Sequence, residues 1–238
     1  MNKKKIGFKI ELLKSNPRTL LYWGYKIINL FKMTPLNNGE RYDPNILRKF
    51  NINDPHQEGR YKLAANLISR NDIVLDIACG TGYGTLMLAE NSLNIKGVDI
   101  SERAIKYAKK HYKNRSNIDF IQSDLFNFNE SADIVVSFET IEHIPGDIED
   151  TLIKLMSLAR KRLICSVPYM EIAGANKHHA HFNINETNFN FLKDFCQVKF
   201  LYQSITGEIS DCSNEHTKTL MNKFTHILDS AGGQNICK

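Results

Sequence analysis

The sequence predicts an α/β fold: a doubly wound, mostly parallel sheet of Rossmann-like type, preceded by an N-terminal helical extension. Three observations predict it. Short runs of β-branched and aliphatic residues alternate with segments of helical spacing along the middle of the chain. The first run, Ile73-Val74-Leu75-Asp76-Ile77, breaks into Ala78-Cys79-Gly80-Thr81-Gly82-Tyr83-Gly84, a glycine loop that opens a helix. Three acids, Asp76, Asp99 and Asp124, fall at the ends of three successive apolar runs, where open α/β sheets bind ligands.

The elements follow in order. Residues 57–69 have helical spacing, with Tyr61, Ala64, Ala65, Leu67 and Ile68 on one face and Arg60 near the start. After the glycine loop, Leu86 to Ala89 begin a helix whose unpaired N–H groups face whatever the loop holds. Residues 94–100 form a second strand ending in Asp99, and Ser101 caps a helix from Ala104 to about His111. Residues 118–121 and 133–138 make the third and fourth strands. Residues 147–160 carry a helical apolar stripe through Leu152, Leu155, Met156 and Ala159. Residues 162–168 are a fifth strand stopped by Pro168. A polar, histidine-rich loop (169–182), a short helix (187–195) and a further strand (198–202) come next. Leu220, Phe224, Ile227 and Leu228 give residues 215–229 helical spacing, and residues 231–238 read as a frayed end. The predicted organisation is a basic, aromatic helical extension (1–36), a lid segment and helix (37–70), the catalytic core (71–212), and a C-terminal helix and tail (213–238).

The loop pattern D-x-A-C-G-x-G-x-G lacks the Lys-Ser/Thr ending of a phosphate-cradling loop, and an acid at the strand end repels pyrophosphate. It suits a ligand carrying an ammonium group; a Rossmann-like dinucleotide site is the alternative. The stretch resembles the first motif of class I S-adenosylmethionine (SAM) dependent methyltransferases. That resemblance implies a cofactor held by Asp76, Gly80 and Gly82. Asp99 would accept bonds from the ribose hydroxyls and Asp124 one from the adenine amino group, with Ile100 and Leu125 beside them. The phrase Gly39-Glu40-Arg41-Tyr42-Asp43-Pro44 and the Arg60-Tyr61 pair resemble bacterial methyltransferases of glycan and polysaccharide biosynthesis. In that group the helix closes over the cofactor, which implies Arg60 as partner of the methionine carboxylate.

Methyl transfer from a sulfonium is an in-line displacement, and a hydroxyl acceptor needs help losing its proton. Three histidines are candidate bases: His143 after the fourth strand, and His178 and His181 in the loop after the fifth. Glu139, Glu142 and His143 form an E-x-x-E-H pattern, a mixed oxygen and nitrogen set suited to magnesium or another divalent ion. The pattern resembles ubiquinone-pathway O-methyltransferases and the enzymes that methylate the terminal 2′-hydroxyl of small RNAs. Ser137-Phe138-Glu139-Thr140 stands where DNA and protein-glutamine N-methyltransferases carry Asn/Asp-Pro-Pro-Tyr, which favours oxygen as acceptor. The expectation is an O-methyltransferase acting on a sugar or glycan precursor. The alternatives are a quinone-like or RNA 2′-hydroxyl acceptor, or a non-catalytic scaffold.

Composition bounds the rest. With 42% hydrophobic and 24% charged residues, the chain can bury one good core. Five scattered cysteines without a C-x-x-C pair point to a reducing cytoplasm. The interrupted, lysine-rich start is not a secretory signal, and the apolar stretch 20–32 is too short to cross a bilayer. Before Thr34 eight basic residues face a single acid, Glu11. Such an arm suits peripheral contact with the inner membrane face or with a partner enzyme. A net charge of only +5 argues against nucleic acid as a partner.

Overall fold

The computed structural model describes residues 55–204 and 207–211, and the backbone of 221–230. The predicted N-terminal extension, the segment 37–54, Cys212 and Cys237 lie outside the described residues. The order is α1 (Pro55–Asn66), β1 (Ile73–Ile77), α2 (Tyr83–Ala89), β2 (Asn94–Asp99), α3 (Glu102–Tyr112), β3 (Ile118–Gln122) and β4 (Ala132–Phe138). A 3-10 turn (Ile141–His143), α4 (Ile148–Leu158), β5 (Ala159–Pro168), a longer 3-10 segment (Glu186–Asp194), β6 (Cys196–Ser204), β7 (Ile209–Ser210) and β8 (Met221–Ser230) follow. The strands form one sheet in the order β3-β2-β1-β4-β5-β8-β6-β7. β1 to β5 are mutually parallel, while β8 runs antiparallel to both β5 and β6.

Strand order reverses between β1 and β4, since the chain leaves β1 towards β2 and β3 and returns on the other side. A crevice at the carboxyl ends of these two strands is where such sheets bind ligands. Both strands are buried almost throughout, as expected for parallel strands covered on two faces. Leu75, Val135 and Leu163 of adjacent strands join Leu152 and Leu155 of α4 and Phe189 in the main core cluster. Burial of such side chains is worth about 1.5–3 kcal/mol each.

Local chemistry sets the helix ends. Ser101 accepts from the Ala104 N–H at 3.3 Å, while Lys109, Lys110 and His111 complement the carboxyl end of α3. Asp147 accepts from the Glu149 N–H at 2.9 Å at the start of α4. Pro55 opens α1, where its missing N–H costs nothing.

Two expectations change. The helix over 147–160 stops at Leu158 and the strand begins at once, because Ala159 already pairs with Ala132 of β4; Arg160 and Lys161 then reach Asp133, and Lys161 also Asp72. The predicted C-terminal helix is corrected more deeply: residues 221–230 are a strand filling the gap between β5 and β6. Phe224, Ile227 and Leu228 have a spacing that fits a helix turn, but two open strand edges that need partners decide the outcome. No helix among the described residues is long and apolar enough to cross a membrane.

Candidate functional site

The site is built from the loops leaving β1, β2 and β4, with α1 beside them. After β1 the chain passes through left-handed backbone at Ala78 (φ 61°), Gly80 (φ 55°) and Gly82 (φ 81°). Such conformations favour glycine and are costly at alanine, a strain that commonly sits at ligand sites. A side chain at Gly82 would also meet the Phe120 ring at 2.6 Å.

Asp99 fastens this loop. Its Oδ2 accepts from the Gly80 N–H at 2.9 Å and its Oδ1 from the Ser101 N–H at 2.8 Å. The residue thus orders the glycine loop from the end of β2. Asp124 instead serves its own turn: Oδ1 accepts from the N–H groups of Phe126 (3.0 Å) and Asn127 (3.1 Å), and Oδ2 from the Asn127 amide. The Asn127 side chain, and then its backbone N–H, hold the carboxyl below its ordinary range. Leu125, expected beside the cofactor, belongs to the core cluster. Ile100 and Phe126, exposed after the ends of β2 and β3, are the apolar groups at that lip.

Asp76, expected to hold the cofactor, is engaged by two side-chain hydroxyls. It is wholly buried; Thr85 Oγ1 donates to Oδ2 at 2.6 Å and Tyr61 OH to Oδ1 at 3.2 Å. Burial pushes its carboxyl up to about 7 against the two hydroxyls, which lower it, and the Asp99 charge adds to the rise. The folded chain therefore keeps this proton up to about pH 7, whereas the unfolded chain releases it near pH 4. The stability involved is complete below the unfolded value and lost as pH rises through about 7, up to about 4 kcal/mol. Asp76→Asn, which carries no such charge, is expected to gain stability over the parent between pH 4 and pH 8 in urea unfolding. A parent-to-variant difference that stays flat with pH would contradict this.

Arg60, the expected partner of the methionine carboxylate, is fully buried on α1. Its Nη1 donates to Gln203 Oε1 at 2.7 Å, and its guanidinium carbon lies 5.9 Å from the centre of the Phe138 ring at the end of β4. Nε and Nη2 are buried and have no hydrogen-bond partner among the described residues. A buried guanidinium with two idle donors is costly unless an anion meets it.

Beyond β4, Glu139 takes a left-handed backbone (φ 52°). Ser166 Oγ donates to its Oε1 at 2.9 Å, which ties Glu139 to β5. The possible ligand cluster is instead Glu142, His143 and His179, with one ligand atom from each within 4.8 Å of the others. His143 Nδ1 donates to the His178 carbonyl at 3.2 Å, which makes Nε2 the acceptor nitrogen, 3.9 Å from Glu142 Oε1.

The loop histidines are reassigned. His178 contributes its carbonyl, while His181 Nε2 donates to the Ile144 carbonyl at 2.8 Å. The ring beside His143 is that of His179, edge-on at 4.6 Å, with Nδ1 paired to Glu171 and Nε2 accepting from the Asn176 amide at 2.9 Å. Sequence reasoning missed Thr85, Gln203, Glu171 and Asn176, and gave Tyr61 only a packing role. Thr85, nine residues after Asp76 on the helix that the loop opens, was the one with a readable signal.

An acid-fastened glycine loop after β1, a buried arginine of α1 beside Phe138, and a histidine in the 3-10 turn after β4 thus belong to the carboxyl ends of parallel strands, where a Rossmann-like sheet binds ligands. Residues 68–232 match the family model described as a methyltransferase domain, and the chain belongs to that family. A ubiquinone biosynthesis O-methyltransferase of Actinobacillus pleuropneumoniae is 28% identical over 84 residues, covering 32% of this chain and 36% of that protein. A malonyl-[acyl-carrier protein] O-methyltransferase of Acetivibrio thermocellus is 30% identical over 114 residues, covering 43% of this chain and 40% of that protein. The alignments thus span well under half the length of these curated relatives. The SAM-bound structure of magnesium protoporphyrin IX methyltransferase from Synechocystis PCC 6803 superposes with a TM-score of 0.54 at 18% identity, over 74% of this chain and 80% of that one. The fold is therefore the Rossmann-like methyltransferase fold.

Proposed function

We propose that the protein transfers a methyl group from SAM to an oxygen atom of a small acceptor. The observation that carries this reading is the Arg60 guanidinium, buried beside the end of β4 with Nε and Nη2 unpartnered among the described residues. It calls for an anion, and the methionine carboxylate of SAM would supply one. The donor fork suits a carboxylate. Asp99 takes the ribose hydroxyls, and the exposed Ile100 and Phe126 offer apolar surface to the adenine. SAM supplies an electrophilic methyl on sulfonium, open to in-line attack. His143, its proton fixed on Nδ1, can accept the acceptor's proton at Nε2.

Oxygen as the acceptor atom is supported by the missing Asn/Asp-Pro-Pro-Tyr motif and by the O-methyltransferase names of both curated relatives. A sugar or glycan precursor rests on the phrase at 39–44, outside the described residues; a quinone-like phenol is the competing acceptor. A second reading has metal assistance. The buried Glu142 beside His143 and His179 could hold a divalent ion that lowers the pKa of an acceptor hydroxyl.

Calorimetric titration with SAM and S-adenosylhomocysteine tests the cofactor half. The parent should bind both, and Asp99→Ala should bind at least about tenfold more weakly, having lost a charged acceptor and loosened the loop. Absence of binding heat across a range of temperatures, or unchanged affinity in Asp99→Ala, would refute the reading.

A further inference from the structure

The third glycine of the loop, Gly84, lies inside α2 and needs no special backbone angle. A Cβ there would stand 2.0, 2.3 and 2.5 Å from Cζ, Cε1 and Cε2 of Tyr61. Gly84 is therefore glycine because the tyrosine ring of α1 lies flush against α2. Tyr61 is buried, its hydroxyl donates to Asp76, and its ring stands edge-on to Tyr83 at 5.3 Å and to Phe138 at 5.0 Å. Four contacts from three separate elements fix the depth and rotation of α1 at this residue. The next residue back is Arg60.

We infer that Tyr61, seated on Gly84 and tied to Asp76, is a positioning residue that sets the Arg60 guanidinium for the carboxylate of the cofactor. This rests on the reading that Arg60 receives that carboxylate. Gln203 holds Nη1 from β6, and the Tyr61 seat holds the helix that carries the arginine. With the hydroxyl removed, Asp76 loses one of its two side-chain donors, and α1 is free to rotate about the remaining ring contacts. The acid and third glycine of the motif then act through α1, not by touching the ligand.

The test compares Tyr61→Phe, Gly84→Ala and Arg60→Met for binding of S-adenosylhomocysteine and of 5′-methylthioadenosine, which lacks the amino-acid end. Circular dichroism melting confirms folding at the titration temperature. Tyr61→Phe should weaken S-adenosylhomocysteine about tenfold and methylthioadenosine less than about twofold, with no further loss when added to Arg60→Met. Gly84→Ala, which displaces the ring without removing its hydroxyl, should give the same split and supplies the answer if Tyr61→Phe melts too low. Equal weakening of both ligands would overturn the positioning role and leave Tyr61 as packing. So would loss in Arg60→Met without loss in Tyr61→Phe. Unchanged binding in Arg60→Met would instead remove the carboxylate reading itself.

Discussion

Arg60→Met is expected to weaken SAM binding about a hundredfold while making the ligand-free protein more stable than the parent. The two effects share one cause. The guanidinium is fully buried, and among the described residues only its Nη1 has a hydrogen-bond partner. Holding a poorly compensated charge out of water costs several kcal/mol, and an apolar chain of similar length removes that cost. Against this stand the donor lost by Gln203, about 1–3 kcal/mol, and the contact with the Phe138 ring, about 1 kcal/mol. The desolvation cost is the larger, so the urea midpoint without ligand should rise. With ligand the balance inverts, because truncating one partner of a buried charged pair costs about 2–5 kcal/mol, centred near two powers of ten in affinity. Unfolding in urea with and without saturating SAM reads both terms. A parent-like affinity would remove Arg60 from the cofactor site; a lowered midpoint in the ligand-free protein would show that its charge is already compensated.

The parallel sheet was legible because its strands are buried on both faces and read as uninterrupted apolar runs; β1 falls on the five residues expected, 73–77. The acids at the ends of β1, β2 and β3 were legible for the same reason, since each stands at the close of a largely apolar run. What each acid does was not legible. Asp76 differs from Asp99 through Tyr61 and Thr85, partners brought from α1 and α2 by the fold, and Asp124 differs through Asn127, a local donor of its turn. The strand at 221–230 was missed because apolar residues three and four apart fit a helix, and the deciding term is a pair of strand edges contributed by residues 159–168 and 196–204. Among His178, His179 and His181 no sequence rule selects one. Neighbouring residues in a turning loop point in different directions, and the pairing of His179 with Glu171 depends on the loop folding back on itself.

His143→Ala should lower the rate of methyl transfer by about 10²- to 10⁴-fold, the usual range for losing a positioned acid–base group. SAM affinity should stay within about threefold, since His143 lies in the 3-10 turn after β4 and is held by that turn and the loop after β5. Its backbone N–H donates to the Thr140 carbonyl at 2.9 Å and its Nδ1 to the His178 carbonyl, so both the 3-10 turn and the loop after β5 aim this ring. A loss confined to kcat, with cofactor binding preserved, is the signature of an interaction made in the transition state. The measurement is release of S-adenosylhomocysteine with whichever acceptor the parent methylates, found by screening nucleotide sugars and catechols. Removing divalent ions with EDTA and restoring magnesium separates the two ways His143 can act. A free imidazole base gives turnover indifferent to both treatments, and Glu142→Gln then matters far less than His143→Ala. A metal ligand gives turnover that falls with EDTA and returns with magnesium, and Glu142→Gln is then as damaging as His143→Ala because both hold the same ion. Parent-like turnover in His143→Ala would remove the histidine from the chemistry under either account and leave the proton to solvent.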